Sequence, residues 1–189
     1  MRRTWLIPLA VLSLAATAQP KAPAKSGSAA KPAPAKTTAA KPPVAAPGAF
    51  DAQNPQSFID LLTQAGAKAQ IARRDGDTVF ATAVSKAAAF SLQFVGCTPQ
   101  GRACKAVLLD LTLDRGAASL GQLNQFNQTS VMCRLYQDRS ALHHVVYSAV
   151  LFKSDTAGDA AVQLQAWQGC IADGREFLKD PVAYLANAA

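Results

Sequence analysis

The sequence predicts an α+β fold, a single antiparallel sheet packed with three helices in the order α-β-β-β-β-α-β-β-α. Two observations predict it. Short stretches of strand-like residues come in pairs around turn residues, which makes neighbours in sequence neighbours in an antiparallel sheet. Three other segments repeat their apolar residues at helical spacing and need a sheet to bury that stripe. No internal repeat of 20–50 residues points to a solenoid or propeller.

The elements follow in order. Asn54-Pro55 is a helix start, with Asn as the cap and Pro at the first helical position. Phe58, Leu61, Leu62 and Ala65 then recur at helical spacing, and Gly66 is a stop. Ala67–Arg73 and Thr78–Val84 flank Asp75-Gly76 and read as a hairpin. Ala89–Val95 and Lys105–Leu113 are two further strands. In the second, Val107, Leu109, Leu111 and Leu113 alternate with Leu108, Asp110 and Thr112, the pattern of a half-buried strand. A second helix runs from about Ser119 to Thr129, with Leu120, Leu123 and Phe126 on its buried stripe. Val131–Gln137 and Leu142–Phe152 are strands around the turn Asp138-Arg139-Ser140. The last helix runs from about Ala157 to Leu178, with Leu164, Trp167, Ile171, Gly174 and Leu178 on one face, and Asp180-Pro181 is expected to close it.

Three zones precede or make up this domain. Residues 1–18 read as a secretory signal peptide: Arg2 and Arg3, an apolar run from Trp5 to Ala16, and an Ala16-Thr17-Ala18 cleavage site. The run is too short for a membrane span, which needs about 20 apolar residues. The expected location is therefore periplasmic, with cleavage after Ala18. Residues 19–49 form a Pro/Ala/Lys-rich linker whose only large apolar side chain is Val44, too few to offset the entropy of ordering it. Residues 50–189 form the α+β domain. Of 19 basic residues, seven lie in residues 1–49, with no acid among them, while residues 50–189 hold 12 basic and 12 acidic residues. The net charge of +7 therefore belongs to the leader and linker. A neutral domain gives no electrostatic reason to expect nucleic acid. The Lys-rich tail is expected to associate weakly with cell wall or an anionic membrane surface.

Four cysteines follow the linker: Cys97, Cys104, Cys133 and Cys170. An even count in an exported chain favours disulfides over free thiols. Cys97 ends one strand and Cys104 opens the next. Cys133 shares a strand face with Val131 and Leu135, and Cys170 lies near Trp167 and Gly174 on the last helix. Bridges Cys97–Cys104 and Cys133–Cys170 are expected from this facing. Metal binding needs paired ligands at short spacing, and a redox site of the thioredoxin type needs C-x-x-C; neither pattern is present.

His143 and His144 are neighbours in one predicted strand, so they leave opposite faces and cannot chelate one ion together. One is expected to be packed and the other exposed. No nucleophile elbow, phosphate loop or dinucleotide fingerprint occurs, and Glu176 is the sole glutamate. No catalytic residue, metal ligand or cofactor is assigned.

The stretch Leu120-Gly121-Gln122-Leu123-Asn124-Gln125-Phe126-Asn127, followed by Arg134, Tyr136 and Asp138, resembles the YbjN family. That family has a Leu-Asn-x-Trp-Asn helix end and then an Arg-x-Tyr-x-Asp strand. The resemblance covers about residues 54–178, with Phe126 standing where the pattern has Trp. The strand Leu142–Phe152 lacks the family's acidic residues, and Lys153-Ser154-Asp155 replaces a Gly pair. The resemblance implies a fold similar to type III secretion chaperones, often dimeric, and a regulatory role without catalytic residues. It implies structural roles for Leu123, Asn124, Phe126, Asn127 and Asp138. Met132, Arg134 and Tyr136 leave the strand face opposite Cys133, and this mixed thioether, cationic and aromatic set is a candidate partner surface. An equally open reading has that face covered by another part of the chain. The function expected is a chaperone-like or regulatory module that binds an envelope protein or a second copy of itself. The alternative is a binder of a small ligand or wall fragment.

Overall fold

A computed structural model describes residues 49–188. The signal peptide expected at 1–18 and all of the linker but Ala49 lie outside the described residues.

Six strands form one sheet: β1 (Lys68–Asp75), β2 (Thr78–Val84), β3 (Ala89–Val95), β4 (Ala106–Thr112), β5 (Cys133–Gln137) and β6 (His143–Val150). Their spatial order is β1-β2-β3-β4-β6-β5, with every pairing antiparallel. The first four strands are a meander. The chain then leaves β4 through helix α2 (Leu120–Thr129), lays β5 at the far edge and returns as β6 between β4 and β5. The expected hairpins therefore form, but β4 takes β6 as its neighbour in place of β5.

Helix α1 (Pro55–Gln64) precedes the sheet, and α3 (Ala157–Lys179) and α4 (Pro181–Asn187) follow it. Local capping explains the starts. Asn54 accepts the Gln56 N–H, and Ser119 with Gln122 and Thr156 with Asp159 form capping boxes. Helix α4 is a correction to the expected three helices. Asp180 accepts the Ala183 N–H as an N-cap and Pro181 occupies the first turn, where its missing N–H costs nothing. The dipeptide that ends α3 also begins α4.

The helices α1, α2 and α3 pack on the sheet, and α4 on α2 and α3. They enclose a core of Val79, Leu92, Phe94, Leu109, Leu135 and Val145 from the strands and Phe58, Phe126, Trp167 and Phe177 from the helices. Gly174 lets α3 approach closely: a Cβ there would lie 3.1 Å from Leu113 and 3.3 Å from Leu135. One turn earlier Cys170 bridges to Cys133, and Cys97 bridges to Cys104 across the β3–β4 loop. Both pairs have the connectivity that strand and helix facing suggests. Two such bridges point to an oxidising, extracytoplasmic environment.

Candidate functional site: the uncovered sheet face

Strand alternation gives the sheet two faces. Odd-numbered residues of β4 and β6 enter the core, and even-numbered ones leave on the opposite side. No described element lies on that second face. Register pairs Lys68, Val84 and Ala89 across one side of it and Thr112, His144 and Tyr136 across the other. Beside them, Phe80, Leu108 and Val146 are half-buried near its middle. Arg73 lies over the Phe80 ring at 3.6 Å, a cation–π contact near the β1 edge. A depression of about 370 Å³ opens beside Thr82, Ser91, Asp110 and Thr112.

The other end of the face holds a polar cluster. His144 Nδ1 meets Asp110 Oδ1 at 2.9 Å, and the Tyr136 hydroxyl donates to Asp110 Oδ2 at 2.8 Å. The Tyr136 and His144 rings stack at 4.7 Å between centroids. His144 Nε2 faces Asp138 Oδ2 at 3.6 Å, within ion-pair reach but beyond hydrogen-bond length. Asp138 itself accepts the backbone N–H groups of Ser140 and Leu142, each at 2.8 Å. Those N–H groups, Leu142 foremost, together with the His144 ring, hold the Asp138 carboxyl below the usual carboxylate range. Partial burial, then the hydrogen bond to Asp110 and the nearby negative charge, push the Tyr136 phenol up to about 12. Tyr136 is therefore a neutral donor throughout the physiological range.

This geometry is a clamp joining β4, β5, β6 and the β5–β6 turn. His144 Nδ1 is hydrogen-bonded to Asp110, and Nε2 faces Asp138 without a hydrogen-bond partner of its own. His143 is buried in the core at 2% exposure with no partner for either ring nitrogen. The two histidines do leave opposite faces, but the outer one is largely covered by its clamp. Among the described residues no group of three or more His, Cys, Asp or Glu is arranged to hold a metal ion.

Each sequence-derived residue has a definite place. Leu123 and Phe126 enter the core. Asn127 brackets the edge strand: its Nδ2 donates to the Leu135 carbonyl at 2.9 Å and its Oδ1 accepts the Leu135 N–H at 2.8 Å. Asn124 is exposed. Arg134 and Tyr136 lie on the uncovered face, as strand alternation requires. Met132 is 53% exposed but precedes β5, which begins two residues later than expected because the Ser130 hydroxyl takes the Cys133 N–H. Arg134 is partly committed, since Nη1 donates to the carbonyls of Ser130 and Cys133. Sequence reasoning did not join Asp110 and His144 to Tyr136. Alternation in β4 and β6 carried the signal, but only the β4–β6 pairing brings them together.

No protein-family model, curated protein or solved structure matches this chain.

Proposed function

We propose that this chain is a non-enzymatic, periplasmic protein-binding module of the YbjN type, exported with its leader cleaved after Ala18, and that its uncovered sheet face receives a second copy. The observation that carries the reading is that face: Phe80, Leu108 and Val146 lie half-buried near its middle, Val84, Val95 and Val150 are exposed at strand ends, and no described element lies against it. Exposed apolar side chains gathered on one face, with polar residues among them, mark a protein interface. Six strands spaced at about 4.8 Å, each about 23 Å long, give a face of roughly 650 Å². That is close to the ~800 Å² per partner of a standard interface. Two such faces can pack as aligned sheets about 10 Å apart.

The YbjN reading is supported by the way the motif residues interlock at one corner. Leu123 and Phe126 anchor α2, Asn127 holds β5, and Tyr136 stacks on the His144 ring that Asp138 faces. The non-enzymatic reading is supported by the clamped and largely covered His144 ring.

Sedimentation velocity over a concentration series is the test. The intact chain is expected to dimerise, and Leu108→Asp with Val146→Asp to sediment as a monomer while melting cooperatively. A wild-type chain that stays monomeric, or a dimer indifferent to both substitutions, would overturn the second-copy reading.

A further inference from the structure

A cavity of about 270 Å³ lies away from the sheet's open face, between the β4–α2 loop and the C-terminal half of α3. It is lined by Leu113, Asp114, Arg115, Arg175, Leu178 and Lys179. Three cations and one carboxylate therefore share it, in a domain whose basic and acidic residues balance overall. Arg115 and Lys179 make no ion pair or side-chain hydrogen bond among the described residues. Arg175 gives only one of its N–H groups, to the Ala87 carbonyl at 3.1 Å.

The loop is held in place. The Leu113 N–H donates to the His143 carbonyl at 2.7 Å. Gly116 lies so near α3 that a Cβ there would come within 3.0 Å of Leu178. Arg115 is thus tethered beside Arg175 and Lys179, which are one helical turn apart on one face. Three cations gathered around a single carboxylate repel one another, and an anion entering between them relieves that cost.

We propose that this cavity binds a phosphate group. Two guanidinium forks and an ammonium offer charge-assisted donors from two chain segments, the donor set that recognises tetrahedral oxyanions. Within the cavity the three cations face Asp114 alone, while Glu176 and Asp180 join Arg175 and Lys179 around the adjoining hollow. The volume leaves room for the group the phosphate is attached to, with Leu113 and Leu178 as its apolar wall. This assignment is independent of the dimer reading, because none of these residues lies on the uncovered face.

Isothermal titration of the full chain with inorganic phosphate and with glycerol phosphate tests it, against sodium chloride at equal ionic strength. Saturable binding is expected with the phosphates and not with chloride. The double variant Arg115→Gln with Lys179→Gln should lose affinity on the order of tenfold or more. Asp114→Asn, which removes the carboxylate that lines the cavity, should bind more tightly. That gain cannot arise from misfolding, so it keeps the test meaningful even if the double variant folds poorly. Flotation with phosphatidylglycerol and phosphatidylcholine vesicles separates the sources. Vesicle capture lost in the double variant places the phosphate on a lipid headgroup, and binding of glycerol phosphate alone places it on a soluble ester. Phosphate affinity equal to that for chloride, or unchanged by all these substitutions, would overturn the site.

Discussion

His143 sets the most exacting problem at the level of single residues. Its ring is buried with neither nitrogen partnered, although Gln137 is paired opposite it across β5, while Val145 and Leu135 beside them are apolar. An unpaired buried polar group costs about 1–3 kcal/mol, and an apolar side chain of similar size removes that cost. His143→Leu is therefore expected to stabilise the fold by about 1 kcal/mol or more in urea unfolding. A destabilised variant would mean the ring has a partner. On the opposite face, Tyr136 makes a pH prediction. Its phenol is held neutral up to about 12, whereas an unfolded tyrosine ionises near 10. The stability it contributes is fully present below about pH 10 and is lost as pH rises through about 12. Ultraviolet titration should show late ionisation of all three tyrosines, because burial also raises Tyr147 and Tyr184, with Tyr136 shifted most. Asp110→Asn should bring Tyr136 down, because the carboxylate supplies both the hydrogen bond and negative charge. A Tyr136 ionisation unaffected by Asp110→Asn would leave desolvation as the whole cause.

Among the elements, β5 is one of the sheet's two edge strands and depends on side chains from outside the sheet. Asn127 pairs with both backbone groups of Leu135 as a neighbouring strand would, and so closes part of an edge open to unwanted pairing. Asn127→Ala should cost about 1–3 kcal/mol and raise the tendency to aggregate, read by chemical denaturation and light scattering. Asn127→Asp keeps the acceptor but loses the donor, and should fall between. The bridges behave differently because they close different loops. Cys133–Cys170 spans 37 residues in sequence and Cys97–Cys104 spans seven. Chain entropy gives about 4 kcal/mol for the first and about 2.5 kcal/mol for the second. Removing the first pair by alanine should therefore lower Tm more than removing the second, and non-reducing peptide mapping should return these two pairs alone.

These elements also show why the sequence is legible in part. Alternation in β4 is visible because one face meets the helices and the other does not, and the facing of Cys133 and Cys170 follows from the same periodicity. The insertion of β6 between β4 and β5 is not visible, since no local signal says which strand a chain returns to after a helix. The clamp of Asp110, His144 and Tyr136 depends on that insertion, and so stays hidden. Helix α4 is missed because Asp-Pro suits both the end of one helix and the start of another. The aromatic role of Tyr184, which stands 5.6 Å from Phe177 and 5.7 Å from Phe126, is missed with it.

For the whole molecule, the core decides what the chain can lose. Every fully buried hydrophobic residue of the described structure lies between Ala52 and Phe177, and the next apolar contact outward is Phe50 against Phe58. Residues 19–49 carry five lysines and seven prolines, and no apolar period with which to add to that core. A chain starting at Gly48 is therefore expected to melt at the same temperature as the longer one, within error, by calorimetry. The same truncation removes the basic excess, because residues 50–189 hold equal numbers of acidic and basic side chains. Its retention on an anionic polymer or vesicle surface should fall steeply, and the retention of the longer chain should fall with added salt, since the screening length is only about 10 Å at 0.1 M. The two measurements together separate the roles. An unchanged melt with lost retention assigns folding to the domain and surface attachment to the tail. A melt lowered by several degrees would show that the tail packs on the domain, and the boundary at residue 50 would have to move.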